Sequence, residues 1–309
     1  MKKTIEHVIS AQQFLDRTFL KKLFASSAKM EKMVRSGKNS AILKNKILAT
    51  VFYEPSTRTR FSFESAMFRL GGQVITTESA GQFSSAIKGE SIEDSIRVMA
   101  GYADAIVLRH PQTGAAATAA SVSTVPIINA GDGSGEHPTQ ALLDLYTMQK
   151  QLGTIDNLHI AMVGDLLYGR TIHSLLQFLP LYKKVKLSLV APDKLKLPDQ
   201  YLAYLKKHGV QYEILKDFEP ILPSIDVFYM TRVQKERFAT QNEYEQVKGI
   251  YIMDGVAVKK MKKKAIIMHP LPRVNEITAE VDSDPRAQYF EQAKNGLYVR
   301  MALLEMLLK

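Results

Sequence analysis

Short apolar runs, several of them β-branched, alternate with stretches of helical periodicity along most of this 309-residue chain. The runs at 47–53, 73–77, 105–108 and 125–128 read as strands, with helical stretches between them. A glycine-rich segment at 131–135 and a long helical stretch at 137–152 reset the chain, and the alternation begins again. Strands are expected at 159–163, 185–190, 211–215 and 226–230, helices at 171–179 and 200–208, and further apolar segments at 250–253 and 266–268. This pattern leaves few folds open, because neighbouring parallel strands need a crossover and the crossover is usually a helix. The expected fold is α/β, with two doubly wound parallel-sheet domains joined by long helices. A surface helix at about 14–33 opens the chain, and a helix at 288–308 is long enough to return to the first domain. The expected division is 1–136 with 292–309 for one domain and 137–291 for the other. Ligands of such sheets sit at the carboxyl ends of the strands, so a cleft between two domains is where chemistry is expected.

Composition narrows the functional classes. A chain of 309 residues, 46% hydrophobic and 23% charged, suits about two ordinary globular domains. No apolar run approaches the ~18 residues of a membrane span, and residues 1–7 lack the apolar core of a signal peptide. The absence of cysteine removes disulfides, thiol nucleophiles and cysteine metal sites. A cytoplasmic enzyme fits these limits. The 41 Lys and Arg against 31 Asp and Glu leave a net charge of +10, which suits either nucleic acid or small anionic substrates. The densest run, at 259–264, lacks the interleaved aromatics that stack bases and reads as a solvated helix end. Neither a nucleic-acid nor a membrane partner is expected.

The motif at 46–70 carries the most chemistry. A strand is stopped by Pro55, and Ser56 or Thr57 can cap the helix that follows. Ser56, Thr57, Arg58, Thr59 and Arg60 therefore stand at a helix N-terminus, where three hydroxyls and two guanidinium groups suit a phosphate. Arg109 ends a later strand and could reach a phosphate or a developing oxyanion; an internal ion pair is the alternative. His137 and Gln140 open a helix one turn apart and point the same way. Residues 164–171 mimic a P-loop, and Asp254 could pose as its metal-binding aspartate. Arg170 replaces the P-loop lysine, however, and its fork suits a carboxylate better. Arg232 and Gln234 follow another strand. The loop His269-Pro270-Leu271-Pro272-Arg273 has few N–H donors and offers carbonyls to an amide-like substrate. No metal-ligand spacing and no serine or cysteine nucleophile motif occurs. Direct transfer between two bound anionic substrates is the simplest chemistry, with no metal and no cofactor.

Six motifs in order make the chain resemble the catalytic chains of the aspartate carbamoyltransferase family. They are Ser-Thr-Arg-Thr-Arg (56–60), Leu-Arg-His-Pro (108–111), His-Pro-Thr-Gln (137–140), Gly-Asp-Leu-Leu-Tyr-Gly-Arg-Thr (164–171), Thr-Arg-Val-Gln-Lys-Glu-Arg (231–237) and His-Pro-Leu-Pro-Arg (269–273). The ornithine branch typically has His-Cys-Leu-Pro in the last motif and a Ser-Met-Gly motif that is not found here. The resemblance implies a carbamoyl-phosphate-binding domain and an aspartate-binding domain. Ser56, Thr57, Arg58 and Thr59 would hold the phosphate. Thr59, Arg109 and His137 would polarise the carbonyl, and Gln140 with Pro270, Leu271 and Pro272 would take the carbamoyl amide. Arg170 would bind the α-carboxylate of aspartate, and Arg232 with Gln234 its side-chain carboxylate. Ser84 and Lys88, in the polar loop 78–90, would enter the neighbouring subunit's site, where Lys88 would join Arg170, Arg232 and Gln234 in binding aspartate and help to neutralise the leaving phosphate. The working unit would be a homotrimer with shared sites, with separate regulatory chains as possible partners. The implied product is N-carbamoyl-L-aspartate, made early in pyrimidine synthesis. A carbamoyltransferase for another amine, such as ornithine, and a catalytically idle homologue acting as an assembly partner are the alternatives.

Overall fold

The computed structural model describes residues 6–38, 40–83, 89–238 and 240–309. Contacts divide the chain into two units, Met1–Leu143 with Lys294–Lys309, and Asp144–Ala293. Each is built on an all-parallel sheet.

The first sheet contains β1 (Ile47–Phe52), β2 (Gln73–Glu78), β3 (Ala105–His110) and β4 (Ile127–Asp132), in the order β2-β1-β3-β4. Its helices are α1 (Arg17–Arg35), α2 (Thr57–Arg69), α3 (Ala80–Phe83), α4 (Ile92–Ala100) and α5 (Ala115–Val122). Val51, Ile106, Leu108 and Ile127 pack with Ile96 of α4 and Ala119 of α5. These strands are covered by helices, which is why they read as continuous apolar runs rather than alternating ones. Ser91 caps α4 by accepting the N–H of Asp94, whose own carboxylate turns to Arg97.

β4 departs from the expected 125–128 and runs further along the chain. Pro126 has no N–H to give, so only its carbonyl joins the sheet, accepting from Ile106, and pairing begins beyond it. The strand then continues through Asn129 and Asp132, which are buried despite their polarity. Asn129 donates to the Ile9 carbonyl and accepts from the Gly131 N–H, so its amide is satisfied inside the fold.

The second sheet contains β5 (His159–Val163), β6 (Lys186–Val190), β7 (Gln211–Leu215), β8 (Val227–Met230) and β9 (Ile266–Met268), in the order β7-β6-β5-β8-β9. Between and beyond them lie α7 (Arg170–Phe178), α8 (Asp199–Lys207), α9 (Gln241–Glu245) and α10 (Gly255–Lys260). Its core joins Ala161, Val163, Phe228, Met230 and Ile267 with Tyr251, Met253, Val258 and Tyr289. The apolar segment at 250–253 forms only a single bridge, Met253 to Ile277. Asp254 ends it by capping α10, accepting the N–H groups of Val256 and Ala257. Two helices, α6 (Pro138–Leu152) and α11 (Tyr289–Leu308), include residues of both units.

Both sheets reverse direction once. From β1 the chain moves outward to β2 and returns to the other side of β1 as β3; from β5 it moves to β6 and β7 and returns beside β5 as β8. The crossovers leave on opposite faces at these points, so a crevice opens beyond the strands' carboxyl ends. Three of the six motifs begin at the residue after β5, β8 and β9, one overlaps the end of β3, and one begins four residues beyond β1.

Candidate active site

In the first unit, β1 leads through Pro55 into α2. Ser56 stands at the N-cap, yet its hydroxyl makes no capping bond, so that side chain does not close the first turn. The leading N–H groups and the positive end of the helix dipole then favour an anion there. Thr59 is buried on this turn and Arg58 is exposed. The pairing of both arginines with one phosphate, suggested by their spacing, does not hold. Arg60 lies 3.1 Å from Glu78 and 3.8 Å from Glu64, with its guanidinium 5.3 Å from the Phe61 ring centroid. Glu64 in turn accepts the hydroxyls of Thr50 and Thr76, so Arg60 braces α2 against β1 and β2.

Across the switch point, Arg109 is paired with Phe52 in the β1–β3 register. Its guanidinium is 3.6 Å from the Glu54 carboxylate and donates to the Ala130 carbonyl at 3.4 Å. The ion pair weighed as an alternative is thus present, and it holds the arginine at the strand ends. Next to it, burial lowers the pKa of His110 against the opposing charges of Glu54 and Asp132.

The segment from β4 to α6 is organised by Asp132. One carboxylate oxygen accepts the Gly114 N–H at 2.9 Å and the other the Glu136 N–H at 3.0 Å. Gly133 has a φ of +51°, and a Cβ there would lie 2.7 Å from the Pro111 carbonyl oxygen. This tight turn delivers His137, whose carbonyl accepts the N–H groups of Gln140 and Ala141. His137 and Gln140 are both buried.

In the second unit, β5 is followed by Gly164, with a φ of +112°. A Cβ at this position would come within 2.3 Å of the Thr231 carbonyl oxygen, so only glycine lets the β5 and β8 ends approach. The Thr231 hydroxyl bonds the carbonyls of Val163 and Asp165. Asp165 is fully buried; burial pushes its pKa up, opposed by hydrogen bonds from Tyr168, Gln234 and Leu167. Gln234 donates its amide to Asp165 at 3.4 Å and to the Tyr168 carbonyl at 3.1 Å. In this state, therefore, Gln234 ties the segment holding Arg232 to the loop that ends at Arg170.

The same loop rules out a P-loop cradle. Tyr168 gives its N–H to Asp165, and Arg170 gives its own to the Tyr168 carbonyl, so these groups are committed within the turn. Asp254 is the α10 cap, not a metal aspartate. Arg232 lines a pocket with Met230, Tyr244, Tyr251, Asn275 and Glu276. Beyond β9, the Leu271–Pro272 peptide is cis and Leu271 has a φ of +55°. Ser84 and Lys88 lie outside the described residues. Among the described residues, no three His, Asp or Glu side chains are grouped to hold a metal.

Reading motifs alone missed the acids that support these side chains. Glu54, Asp132 and Glu276 stand beside a motif and Asp165 within one, yet none has a distinctive spacing. The one available signal was a lone acid next to glycine or proline, as in Gly164-Asp165 and Glu54-Pro55.

Candidate donors for anionic groups at the switch point of each of two parallel sheets are the marks of an α/β protein that binds anionic ligands. Two family models together span most of the chain: the carbamoyl-P binding domain of aspartate/ornithine carbamoyltransferase over residues 6–150, and the Asp/Orn binding domain over 156–307. The chain belongs to the aspartate/ornithine carbamoyltransferase family. It is 53% identical to the chloroplastic aspartate carbamoyltransferase of Arabidopsis thaliana over 98% of this chain and 78% of that protein. The catalytic subunit of M. jannaschii aspartate transcarbamoylase superposes with a TM-score of 0.90 at 50% identity, covering 98% of each chain. The aspartate transcarbamoylase of Trypanosoma cruzi, solved with carbamoyl aspartate and phosphate, superposes with a TM-score of 0.90 at 39% identity, covering 98% of this chain and 96% of that one.

Proposed function

We propose that this chain transfers the carbamoyl group of carbamoyl phosphate to the α-amine of L-aspartate, releasing N-carbamoyl-L-aspartate and phosphate. The observation that carries this reading is the end-to-end match to aspartate transcarbamoylases, one of them solved with that product pair. Both family models also take in ornithine enzymes. The aspartate branch is favoured by Pro270 in the last motif, where the ornithine branch typically has cysteine.

The residue roles are those the family resemblance implies, and the residue types suit them. Ser56, Thr57, Arg58 and Thr59 receive the phosphate at the start of α2. Thr59, Arg109 and His137 direct donors at the carbonyl oxygen, while Gln140 and the carbonyls of Pro270–Pro272 take the carbamoyl NH2. Arg170 takes the α-carboxylate and Arg232 the side-chain carboxylate. Gln234 helps only by leaving its present bonds or by holding Arg232 in place. The neutral amine attacks the carbonyl carbon and an oxyanion forms. The bond from carbon to the bridging oxygen then breaks, and phosphate departs with a proton from the amine. Losing one preorganised donor to such an oxyanion typically costs about 10²–10³ in rate.

We place Ser84 and Lys88 in the site of a neighbouring subunit, within a homotrimer. Support comes from α2, where Phe61 and Phe68 are 55% and 57% exposed, and from Ile75 on the β2 edge, 43% exposed. Large apolar groups this open on one helix suit a subunit interface. A cytoplasmic location rests on composition, and docking of separate regulatory chains on the family resemblance.

The test is an assay of purified chain with carbamoyl phosphate and L-aspartate, run beside L-ornithine. Carbamoyl aspartate and phosphate in equal amounts, with no ornithine product, is the expected result. Product from ornithine alone would overturn the aspartate assignment, and silence with both would leave an idle homologue.

A further inference from the structure

His269 begins the last motif, yet the function given above assigns it nothing. It is 1% exposed, and its backbone N–H and both ring nitrogens are hydrogen-bonded. Its backbone N–H donates to the Gln292 side-chain oxygen at 2.8 Å. Gln292 donates to one oxygen of Asp144 at 2.7 Å, and the Tyr229 hydroxyl donates to the other, also at 2.7 Å. The strand end is thereby tied to α11, α6 and β8 through buried groups.

The imidazole controls the loop itself. Pro270 and Pro272 have no N–H, so Leu271 supplies the only backbone donor across 270–272. That N–H donates to His269 Nδ1 at 2.7 Å. An accepting Nδ1 puts the ring proton on Nε2, which donates to Glu276 Oε1 at 2.9 Å. The second Glu276 oxygen accepts the N–H groups of Val274 and Asn275, both at 3.0 Å. One histidine and one carboxylate therefore clamp the loop at both ends. The Leu271 φ of +55° lies in the left-handed region, which an L-residue adopts only when its surroundings impose it. Burial lowers the His269 pKa, as do the charges of Arg232 and Arg273, against the pull of Glu276. The lowered pKa favours the neutral ring, in line with the acceptor role that the Leu271 N–H requires of Nδ1.

We propose that His269 is a positioning residue for carbamoyl transfer: through Nδ1 it holds the Leu271 N–H, and so aims the Pro270 and Leu271 carbonyls at the carbamoyl NH2. This rests on the carbamoyl-phosphate reading above. A small misplacement of a group that orients a substrate can cost about 10²-fold in rate.

Two substitutions separate positioning from mere packing. His269→Asn keeps an acceptor at the δ position but loses the reach to Glu276; His269→Gln does the opposite. Both are expected to melt earlier than the parent chain. Kinetics should split them, with Gln raising the KM for carbamoyl phosphate and lowering kcat, about 10-fold or more in kcat/KM, and Asn staying within about threefold. Equal losses in the two variants, or none in Gln, would overturn the positioning role. Nitrogen-15 shifts of histidine-labelled parent protein give a second readout that needs neither turnover nor a variant. An unprotonated Nδ1 with a protonated Nε2 between pH 6 and 8 is expected, and a protonated Nδ1 would overturn the clamp. An inactive parent chain would instead remove the functional reading on which the proposal rests, whichever tautomer is found.

Discussion

Arg58 and Arg60 are two residues apart on one helical turn, and their side chains have different occupations. Arg60 is engaged by Glu64 and Glu78, and its own side chain is 18% exposed. Replacing it with methionine keeps the stem packed but leaves two half-buried carboxylates without their cation. The expected cost is about 1–3 kcal/mol of stability, with little change in the KM for carbamoyl phosphate. Arg58→Ala should show the reverse, a melting point near that of the parent and a kcat/KM for carbamoyl phosphate lower by about 10²–10³. Melting curves and initial rates on the two variants check both halves. A shared phosphate role would instead make the two kinetic losses equal. Arg170 and Arg232 stand behind the same argument for the other substrate, each expected on substitution by alanine to raise the KM for aspartate.

At the scale of elements, the ends of β5 and β8 are held apart by no side chain at all. Gly164→Ala forces a Cβ to within 2.3 Å of the Thr231 carbonyl and puts alanine at a φ of +112°. The strain and the displaced backbone together should cost on the order of 3 kcal/mol. The two strand ends carry the loops of Arg170 and Arg232, so a weaker aspartate KM should accompany the lower melting point. The segment after β9 yields a pH prediction. Burial alone would raise the Glu276 pKa, but bonds from His269 and backbone N–H groups bring it below the usual 4.5. Bonds from Arg273 and Arg286 likewise hold Asp282 and Asp284 below 3.8. A carboxylate with a depressed folded pKa contributes stability that is complete above its unfolded value and is lost as pH falls through the folded one. Melting temperature should therefore hold down to about pH 5 and drop below about pH 4. Glu276→Gln should remove part of that drop; an unchanged profile would count against the clamp around the 270–275 loop.

These elements also show what a reader of the chain could see. Strand β1 was visible because Ile47–Phe52 is apolar and bounded by Pro55, and Ser56 marked the start of its helix by position although its hydroxyl makes no capping bond. Strand β4 was displaced because Asn129 and Asp132 are buried polar residues whose bonds are satisfied by Ile9, Gly114 and Glu136, distant in sequence or hidden in backbone. Residue types at the candidate site were legible for a related reason: anion chemistry demands arginines and hydroxyls at strand ends. Their second partners were not. Nothing in the motif 56–60 says that Arg60 will meet Glu78, because that pairing depends on how β2 lies beside β1.

For the molecule as a whole, the same helix that begins with Ser56–Arg60 also exposes Phe61 and Phe68. In the proposed homotrimer those rings are covered by a second copy, and the neighbour brings Ser84 and Lys88 to the site. Activity and assembly are then one property. Phe68→Glu, seven residues along from Phe61 on the same face, would place a carboxylate in an apolar contact and leave the sheet core untouched. The expected result is a folded protein of 34.7 kDa in sedimentation equilibrium, the mass of a single chain, with turnover lost. Mixing it with a trimer-competent chain carrying Arg58→Ala should restore nothing, because the carboxylate keeps it from docking. A trimer-competent Lys88→Ala chain mixed with the Arg58→Ala chain should recover activity, since some sites in the mixed trimers combine an intact Arg58 with an intact Lys88. A fully active single-chain species, or no recovery in that second mixture, would count against shared sites. The formal charge of +10 predicts a further difference that needs no interface. Both substrates are anions, so kcat/KM should fall as ionic strength screens the field that draws them in. That slope should persist in Arg60→Met, whose defect is structural, and flatten when surface lysines distant from the site are acetylated.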